Sequence, residues 1–375
     1  MEFDVAVVGG SFAGLACARA AAARGLSVVV LDRRSEPGES PRTTGILVKE
    51  VAEAWDLPPS ITRTITAVRL YAPSGRCLDL EAPGYYFLAT DTSGLLRFLA
   101  GQASALGAQL SYGTAFEGAD AVGSGYKLRG SHVVAKTIVG ADGARSAVAR
   151  WFGLGSNRAF LCGAEAELTG VQGLAEDRLH CFIDSALAPG YLGWIVPGCG
   201  ITQIGLATRA PERPRLDAML KRAARVVDLS SARVVEKRGG WIPVGGRVRP
   251  SAAPGILLVG DSAGHVSPLT AGGIHTALQL GRRAGLAIAD HVLADGPDPA
   301  QVLGAAAPHF AFKRCLRWLI DQRPANSVID WTFDRRLFRA FAETVFFHHR
   351  GLLSRAAWRD IAGTIAGHDR PRLRY

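Results

Sequence analysis

Two short apolar runs, separated by an alanine-rich segment, open the chain. Residues 3–8 and 27–31 have the length of buried strands, and residues 15–24 between them contain no Pro, which predicts a helix. The small-residue turn GGSFAG at 9–14 joins the first run to this helix, and Asp32 follows the second run. The order of strand, glycine turn, helix, strand and acid predicts a βαβ unit.

Farther along, the apolar pattern alternates between helix-like and strand-like stretches. Helices are predicted over 46–55, 94–106, 215–226 and 274–293, and through most of the chain after 299. Strands are predicted over 109–112, 126–128, 133–139 and 255–259, and a hairpin over 64–72 and 77–80. Short strands separated by Gly and Pro favour an antiparallel sheet over 164–169, 178–184, 191–196 and 201–208.

The turn at 9–14 has the chemistry of a nucleotide site. Small residues let backbone N–H groups approach a pyrophosphate at the positive end of the helix. Asp32 lies 18 residues after Gly14, close to the spacing of an acid that binds an adenosine ribose. Ser11 replaces the middle glycine of the strict motif, so a tight strand-to-helix connection is the alternative interpretation of this turn alone.

Two further strands run into a glycine followed by an acid. Residues 140–143 (GADG) follow the strand at 133–139, and Gly260-Asp261 follows the strand at 255–259. Pro268, Gly272 and Gly273 then precede the long helix. Each signal alone is also typical of a turn with a capping Asp. Three such signals in this order favour a nucleotide-binding lobe.

Composition narrows the class of protein. A chain of 375 residues exceeds the usual size of one hydrophobic core, which predicts two lobes. The first strand begins by Phe3, which leaves no room for a signal peptide, and no apolar run reaches a spanning length of roughly 18 residues. The 6 Cys are scattered without a C-x-x-C pair, so we expect reduced thiols, a cytoplasmic location and no metal site.

The net charge of +10 is concentrated near the C-terminus. From Lys313 onward, 13 Lys and Arg stand against 6 Asp and Glu. Such an excess suits an anionic ligand, anionic lipid or nucleic acid, but a solvated basic surface is the favoured interpretation, and we predict no nucleic-acid partner. Leu337, Phe338, Phe341 and Val345 share a helical face edged by Arg, which suits peripheral membrane contact, a cover over the substrate, or core packing.

Taken together, the three motifs make residues 1–300 resemble the FAD oxidoreductases that include aromatic-ring hydroxylases and geranylgeranyl reductases. The resemblance implies an α/β fold with an FAD-binding, doubly wound Rossmann-like lobe, a second antiparallel-sheet substrate lobe and a helical C-terminal region. The expected boundaries are 1–60, 85–155 and 247–305 for the FAD domain, 61–84 and 156–246 for the substrate domain, and 306–375 for the helical region.

The resemblance also implies a set of FAD contacts. Asp261 takes the ribityl or phosphate role, Gly272 and Gly273 lie near the flavin pyrimidine edge, and Pro268 packs beside the isoalloxazine. Arg42 is a substitute phosphate or flavin contact, with an ordinary surface Arg as the alternative. The full set is Gly9, Gly10, Ser11, Ala13, Gly14, Asp32, Arg33, Arg42, Thr44, Gly45, Asp142, Gly143, Gly260, Asp261, Pro268, Gly272 and Gly273.

The segment 189–197 (PGYLGWIVP) resembles the geranylgeranyl reductase signature P-x-x-Y-x-W-x-F-P. The two prolines and Trp194 match, whereas Leu192 and Val196 replace the Tyr and Phe. Leu192, Trp194 and Val196 would share one strand face and, with Tyr191, line a hydrophobic substrate cavity. A buried sheet face packed on a helix is the alternative.

One departure from the family concerns the proton donor. Archaeal members carry a Cys followed by glycines near the flavin, where this chain has Thr43-Thr44-Gly45. The Thr44 hydroxyl is no acid at neutral pH, so the proton donor is unidentified. His180 and His265 are the candidate catalytic side chains, and a structural histidine is the alternative for both.

The function hypothesis is reduction of carbon–carbon double bonds in a hydrophobic, isoprenoid-like substrate or lipid, with FAD as cofactor and NAD(P)H as electron donor. One alternative is a monooxygenase that hydroxylates or epoxidises an apolar or aromatic substrate with O2. Another is a non-redox isomerase or cyclase, or a protein in which FAD is structural.

Overall fold

The structure is a computed structural model, and it describes residues 1–347. The strands are β1 (Glu2–Val8), β2 (Val28–Asp32), β3 (Ile46–Val48), β4 (Thr62–Ile65), β5 (Ala67–Tyr71), β6 (Cys77–Glu81), β7 (Phe87–Thr90), β8 (Gln109–Tyr112), β9 (Ala119–Val122), β10 (Gly125–Leu128), β11 (Val134–Gly140), β12 (Phe160–Thr169), β13 (Arg178–Phe182), β14 (Gly193–Pro197), β15 (Thr202–Arg209), β16 (Arg233–Pro243), β17 (Ala252–Ala253) and β18 (Ile256–Leu258).

The helices cluster toward the C-terminus, as the pattern predicts. They are α1 (Phe12–Ala22), α2 (Lys49–Ala54), α3 (Thr92–Ala105), α4 (Ala147–Trp151), α5 (Leu216–Ala223), α6 (Ile274–Ala294), α7 (Pro299–Ala306), α8 (Ala311–Asp321), α9 (Asn326–Phe333) and α10 (Arg336–Phe347). The last part of the predicted helical region 306–375, from residue 348 onward, lies outside the described residues.

The chain forms two compact units. The first unit consists of Met1–Thr43, Thr92–Phe160 and Trp241–Arg317, and the second of Thr44–Asp91, Leu161–Gly240 and the chain from Trp318. Neither unit is continuous in sequence, so its core depends on contacts between distant segments. None of the helices within 1–347 is both long enough and apolar enough to cross a bilayer.

The first unit is built on a largely parallel sheet with the strand order β17-β18-β11-β1-β2-β8. Strand β1 pairs in parallel with β11 on one side and with β2 on the other. Helix α1 is buried almost all round because it packs closely on α6. A Cβ added to Gly281 of α6 would lie 2.2 Å from the Ala13 backbone oxygen, so only glycine permits this approach.

The second unit contains a larger sheet with the order β16-β12-β15-β14-β13-β5-β6 and a smaller sheet with the order β3-β7-β4. From β12 to β6 the neighbouring strands of the larger sheet are antiparallel apart from the parallel pair β13 and β5. One face packs on α5 around Phe182 and Met219. The opposite face packs with residues of β3, β7, α9 and α10, including Phe87 and Phe333.

Two element predictions were wrong in detail. Residues 46–55 are not one helix, because the apolar run 46–48 pairs with β7 as strand β3 and the helix begins only at Lys49. Residues 64–72 are not one strand, since β4 pairs with β7 whereas β5 joins the larger sheet. The break falls at Thr66, whose N–H donates to the Asp177 oxygen at 2.9 Å.

Candidate functional site

The three glycine–acid motifs converge at the carboxyl ends of β1, β11 and β18 in the first unit. Gly9 has a φ of 110°, and a Cβ on it would lie 2.3 Å from the Ala141 oxygen of the second motif. A Cβ on Gly260 of the third motif would lie 2.8 Å from the Ala13 Cβ at the start of α1. Ser11 precedes α1, and its carbonyl accepts from Leu15 N at 2.8 Å. Gly9 and Gly260 are therefore required because the segments of the three motifs lie too close together for a side chain at either position.

Asp32 is buried at the end of β2 and is held by the glycine turn. Its Oδ2 accepts a hydrogen bond from Gly10 N at 2.7 Å, and its Oδ1 accepts one from Arg34 N at 2.8 Å. The Arg34 guanidinium adds an ion pair at 3.2 Å. Burial and the neighbouring positive charges of Arg33 and Arg34 lower the pKa of Arg42. This corner combines a fixed carboxylate with a cluster of guanidinium groups, as an adenosine diphosphate group requires.

The second motif serves local structure as well as the site. Asp142 Oδ2 accepts from the N–H groups of Ala147 and Val148 at 2.6 and 3.1 Å and so caps α4. Its Oδ1 is buried and has no hydrogen-bond partner among the described residues. Gly143 has a φ of 85°, which the turn requires. One carboxylate oxygen thus remains for a ligand while the other holds the helix.

The third motif is tied to the second by a side chain outside both. Asn157 Nδ2 donates to the backbone oxygens of Ala144 at 3.0 Å and Asp261 at 2.8 Å. Desolvation raises the pKa of Asp261 to about 6. A Cβ on Gly273 would lie 3.4 Å from Asp261 Oδ1, so this carboxylate lies beside the start of α6. Together with the hydrogen bond from Ser262 Oγ to the Gly140 oxygen at 2.6 Å, the Asn157 bridge holds the two predicted cofactor loops in place.

The segment before α6 contains the remaining predicted flavin contacts of the first unit. Pro268 is buried, Gly272 is exposed, and Gly273 precedes α6 without a side-chain cap. His265 is 3% exposed, and its Nδ1 has no hydrogen-bond partner in the described part of the chain. Burial, with a smaller effect of the Arg247 charge, lowers the His265 pKa to about 4. The imidazole is therefore neutral at pH 7, and its remaining N–H is too weak an acid to favour His265 as the proton donor.

In the second unit, a buried polar group interrupts the apolar sheet face. Glu165 Oε2 accepts from Thr44 Oγ1 at 2.8 Å and from Trp194 Nε1 at 2.6 Å. Arg238 contacts both Glu165 and Glu167, at 2.8 and 2.5 Å. Desolvation raises the pKa of Glu167. Gly45 has a φ of 75°, and its carbonyl accepts from Thr90 Oγ1 at 2.8 Å.

Three of the four predicted substrate-binding residues belong to one hydrophobic cluster. Leu192 and Trp194 are half-buried and Val196 is fully buried, and they pack with Phe87 and Phe333. Tyr191 lies just before β14, where its N–H donates to Ala188 O at 3.0 Å. Val196 is thus packed core, whereas Leu192 and Trp194 keep part of their surface exposed.

His180 is fully engaged within the second unit. Its Nδ1 lies 2.8 Å from the Tyr71 hydroxyl and its Nε2 lies 3.0 Å from the Ala175 oxygen. Burial lowers its pKa. These contacts support the structural interpretation of this histidine.

The residues of the first unit fit a bound dinucleotide. The glycine turn leaves a cradle that a side chain would fill, and Tyr112 Oη, buried without a partner in residues 1–347, lies 3.0 Å from a Cβ built on Gly10. Asp142 Oδ1 and His265 Nδ1 in the other two motif segments are likewise buried without a partner among the described residues. Because buried polar groups are normally paired, such atoms indicate a ligand.

Comparison with known proteins decides the family. A profile described as FAD dependent oxidoreductase matches residues 4–95. The chain is 34% identical over 321 residues to digeranylgeranylglycerophospholipid reductase 2 of Methanopyrus kandleri, which covers 79% of each protein. The chain belongs to the geranylgeranyl reductase family of FAD-dependent oxidoreductases. A second member of this family, from Methanothermobacter thermautotrophicus, is 32% identical over 318 residues and 78% of the chain.

Solved structures agree with the fold of a geranylgeranyl reductase. A geranylgeranyl bacteriochlorophyll reductase-like protein from Thermoplasma acidophilum has a TM-score of 0.81 at 24% identity and covers 97% of this chain and 96% of its own. The halogenase PltM, solved with FAD, has a TM-score of 0.69 at 14% identity and covers 96% of this chain and 85% of its own. The predicted family, the fold class and the FAD-dependent oxidoreductase activity are confirmed.

The sequence pattern did not point to three polar residues that lie beside predicted site residues. Asn157, Tyr112 and Glu165 have no motif around them, and their roles depend on strands that are distant in sequence. For Tyr112, the sequence offered one signal: it ends a predicted strand, as Asp32 does. In the structure, these strands, β8 and β2, pair in parallel with Tyr112 beside Asp32.

Proposed function

We propose that this protein reduces carbon–carbon double bonds in the isoprenoid chains of a lipid, with FAD as its redox cofactor. The observation that carries the proposal is the similarity to digeranylgeranylglycerophospholipid reductase 2, which extends over 79% of both proteins. The name of that relative specifies geranylgeranyl chains on a glycerophospholipid. The same lipid class is therefore the proposed substrate here.

Residues of the first unit would hold the cofactor along its length. The turn at 9–14 would bind the pyrophosphate, Asp32 the adenosine ribose, and Asp261 the ribityl or phosphate region. The uncapped start of α6 offers backbone N–H groups where negative charge is favoured. When bound and reduced, FAD would supply a hydride to one carbon of the alkene, and a proton from an acid or from water would complete the addition of two hydrogens. Orientation and electrostatics are the contribution of the chain.

The apolar sheet face of the second unit suits a prenyl chain. Trp194 is held at its indole N–H by Glu165 at 2.6 Å, which fixes the ring while Leu192 lies on the same face. A rigid aromatic surface beside aliphatic side chains excludes water from a bound alkene. We propose that Leu192 and Trp194 contact the substrate and that Val196 supports them from the core.

We also propose NAD(P)H as the electron donor. The proposal rests on the chemistry of the cofactor, since a flavin that reduces an alkene must itself be reduced by a hydride or electron donor. Anaerobic mixing with NADPH or NADH should bleach the flavin absorbance. If both leave it unchanged while dithionite bleaches it, another donor is required.

The basic C-terminal helices are the proposed contact with a lipid surface. Trp318, Trp331 and Leu337 are 61%, 67% and 64% exposed, and the Arg335 guanidinium lies 4.8 Å from the centre of the Trp331 ring. Aromatic side chains beside Arg are typical of segments at an anionic membrane surface. In a sedimentation assay, the wild type should pellet with anionic vesicles, whereas the double variant W318S/W331S should stay in the supernatant. The control Val235→Ser, which removes an apolar side chain that is 61% exposed on β16, should pellet like the wild type.

The reaction is tested by anaerobic incubation of dithionite-reduced protein with digeranylgeranyl glycerophospholipid and a panel of prenyl and quinone lipids. Mass spectrometry should show a gain of two hydrogens for each double bond reduced. A panel untouched without oxygen, but oxygenated in air, would indicate a monooxygenase. A product of unchanged mass would indicate isomerisation.

A further inference from the structure

Tyr112 lies at the adenosine end of the predicted FAD site, outside every motif in the sequence. It ends β8, and its backbone pairs in parallel with Asp32 at the end of β2. Its Oη lies 3.0 Å from the position that a Cβ on Gly10 would occupy, and Asp32 Oδ2 lies 3.4 Å from that same point. The phenol, the glycine turn and the carboxylate therefore meet at one place.

The Tyr112 hydroxyl is buried and lacks a hydrogen-bond partner within residues 1–347. Asp32 is not its partner: the three hydrogen bonds that the Asp32 oxygens accept come from Gly10 N, Arg34 N and the Arg34 guanidinium, which leaves the carboxylate able to accept one more. Desolvation and the Asp32 charge raise the pKa of Tyr112 to about 12, so the phenol keeps its proton at neutral pH. A buried O–H donor of this kind is costly unless a ligand pairs with it.

We propose that the Tyr112 hydroxyl donates a hydrogen bond to the adenosine ribose of bound FAD, beside the bond that the ribose makes to Asp32. The carboxylate can only accept, so a ribose hydroxyl that donates to Asp32 leaves its own oxygen free to accept from the phenol. The two side chains are complementary across one ribose. The inference rests on FAD binding and is independent of the proposed alkene reduction.

The test compares Tyr112→Phe with the wild type in FAD affinity, measured by titration of the deflavinated full-length protein. We expect the Kd for FAD to rise about tenfold, the size of one lost hydrogen bond. The Tm without FAD should stay equal or rise, because the variant removes an unpaired buried hydroxyl. A hydroxyl with a structural role would instead lower the Tm without FAD, and this result would overturn the proposal.

Tyr126→Phe is the matched control in the same unit. The Tyr126 hydroxyl donates to the Pro254 oxygen at 2.7 Å, so its loss should lower the Tm and leave the Kd for FAD unchanged. Equal Kd values for FAD in Tyr112→Phe and the wild type would contradict the proposed contact.

The ribose assignment is tested with ADP and 2′,3′-dideoxy-ADP as competing probes. The wild type should bind ADP more tightly than the dideoxy probe. Tyr112→Phe should lower the ratio of the two Kd values, dideoxy-ADP over ADP, by about tenfold. If Tyr112→Phe weakens both probes equally, the phenol contacts the phosphates and the ribose assignment is wrong. None of these readouts depends on the lipid reaction, so failure of that reaction would leave them unchanged.

Discussion

Asn157 donates a hydrogen bond from its side-chain nitrogen to the backbone oxygen of Asp261, at 2.8 Å. The same nitrogen reaches the Ala144 oxygen at 3.0 Å, so one amide holds two cofactor loops that lie more than a hundred residues apart. A second tie comes from the third motif itself, because Ser262 Oγ donates to the Gly140 oxygen at 2.6 Å. The relative position of the second and third motifs thus depends in part on a residue that belongs to neither.

Asn157→Ala should lower stability and weaken FAD binding together. Two carbonyl oxygens lose their donor, which costs on the order of 1–3 kcal/mol, and we expect the Kd for FAD to rise several-fold. Urea unfolding and FAD titration check both effects. Asn326→Ala is the control, because Asn326 bonds Asp184 and Ser185 in the second unit. It should lower stability while the Kd for FAD stays unchanged, and an equal rise in Kd would refute the specific role of Asn157.

Asp261 should make the protein without FAD less stable as pH rises. Its pKa is about 6 in the folded chain against a usual 3.8, so the folded state favours the protonated acid. The stabilisation from this proton is therefore complete below a pH of about 4. It is lost as the pH rises from about 4 to 6, which lowers the free energy of unfolding by at most on the order of 3 kcal/mol. Asp261→Asn should remove this pH dependence. The difference between the urea midpoints of the wild type and the variant should therefore change across that pH range. A difference that does not vary with pH would contradict the raised pKa.

Arg238→Met should be strongly destabilising. Arg238 is the shared cation of Glu165 and Glu167, and its side chain is 6% exposed. Its removal leaves buried carboxylates uncompensated, which typically costs about 3–5 kcal/mol. The matched control is Arg129→Met, whose ion pair with Asp120 is exposed and screened by solvent, and we expect it to lower stability far less than Arg238→Met does. Chemical denaturation of the two variants checks the prediction, and similar losses would contradict it.

Gly281→Ala should disrupt the packing of α1 on α6. The added Cβ would lie 2.2 Å from the Ala13 oxygen, and backbone on both sides leaves no flexible atom to move. We expect a fall in Tm and reduced FAD content after purification. Gly304→Ala in α7 meets no atom within 4 Å and should raise stability by about 0.5–1 kcal/mol. Equal Tm values in the two variants would show that the helices can separate at little cost.

Local signals in the sequence were sufficient for the nucleotide-binding half of the fold. The apolar runs at 3–8 and 27–31 predicted β1 and β2, and the glycines at 9–14 predicted the turn between them. The long helix predicted over 274–293 is α6, Ile274–Ala294. These elements are predictable because each is encoded by neighbouring residues: a turn that needs glycine, a helix with its own periodicity, a strand between polar ends.

Only the tertiary structure decided the partners of isolated polar residues. Glu165 is an ordinary charged residue in the sequence, but in the structure it accepts hydrogen bonds from Thr44 and Trp194. Strand β15 lies between β12 and β14, and its Gly205 is the pairing partner of both Glu165 and Trp194. A Cβ on Gly205 would lie 2.7 Å from the Trp194 ring, so this glycine lets the indole cross to the carboxylate.

The sequence by itself determined the βαβ unit, the order of the three glycine–acid loops and the family to which they belong. The tertiary structure decided that 46–48 is a strand, that Asn157 joins two loops and that the Tyr112 hydroxyl lies beside Asp32. The reason is physical: backbone geometry and periodicity are set by adjacent residues, whereas strand pairing and the burial of a polar atom depend on segments that meet only after the chain has folded.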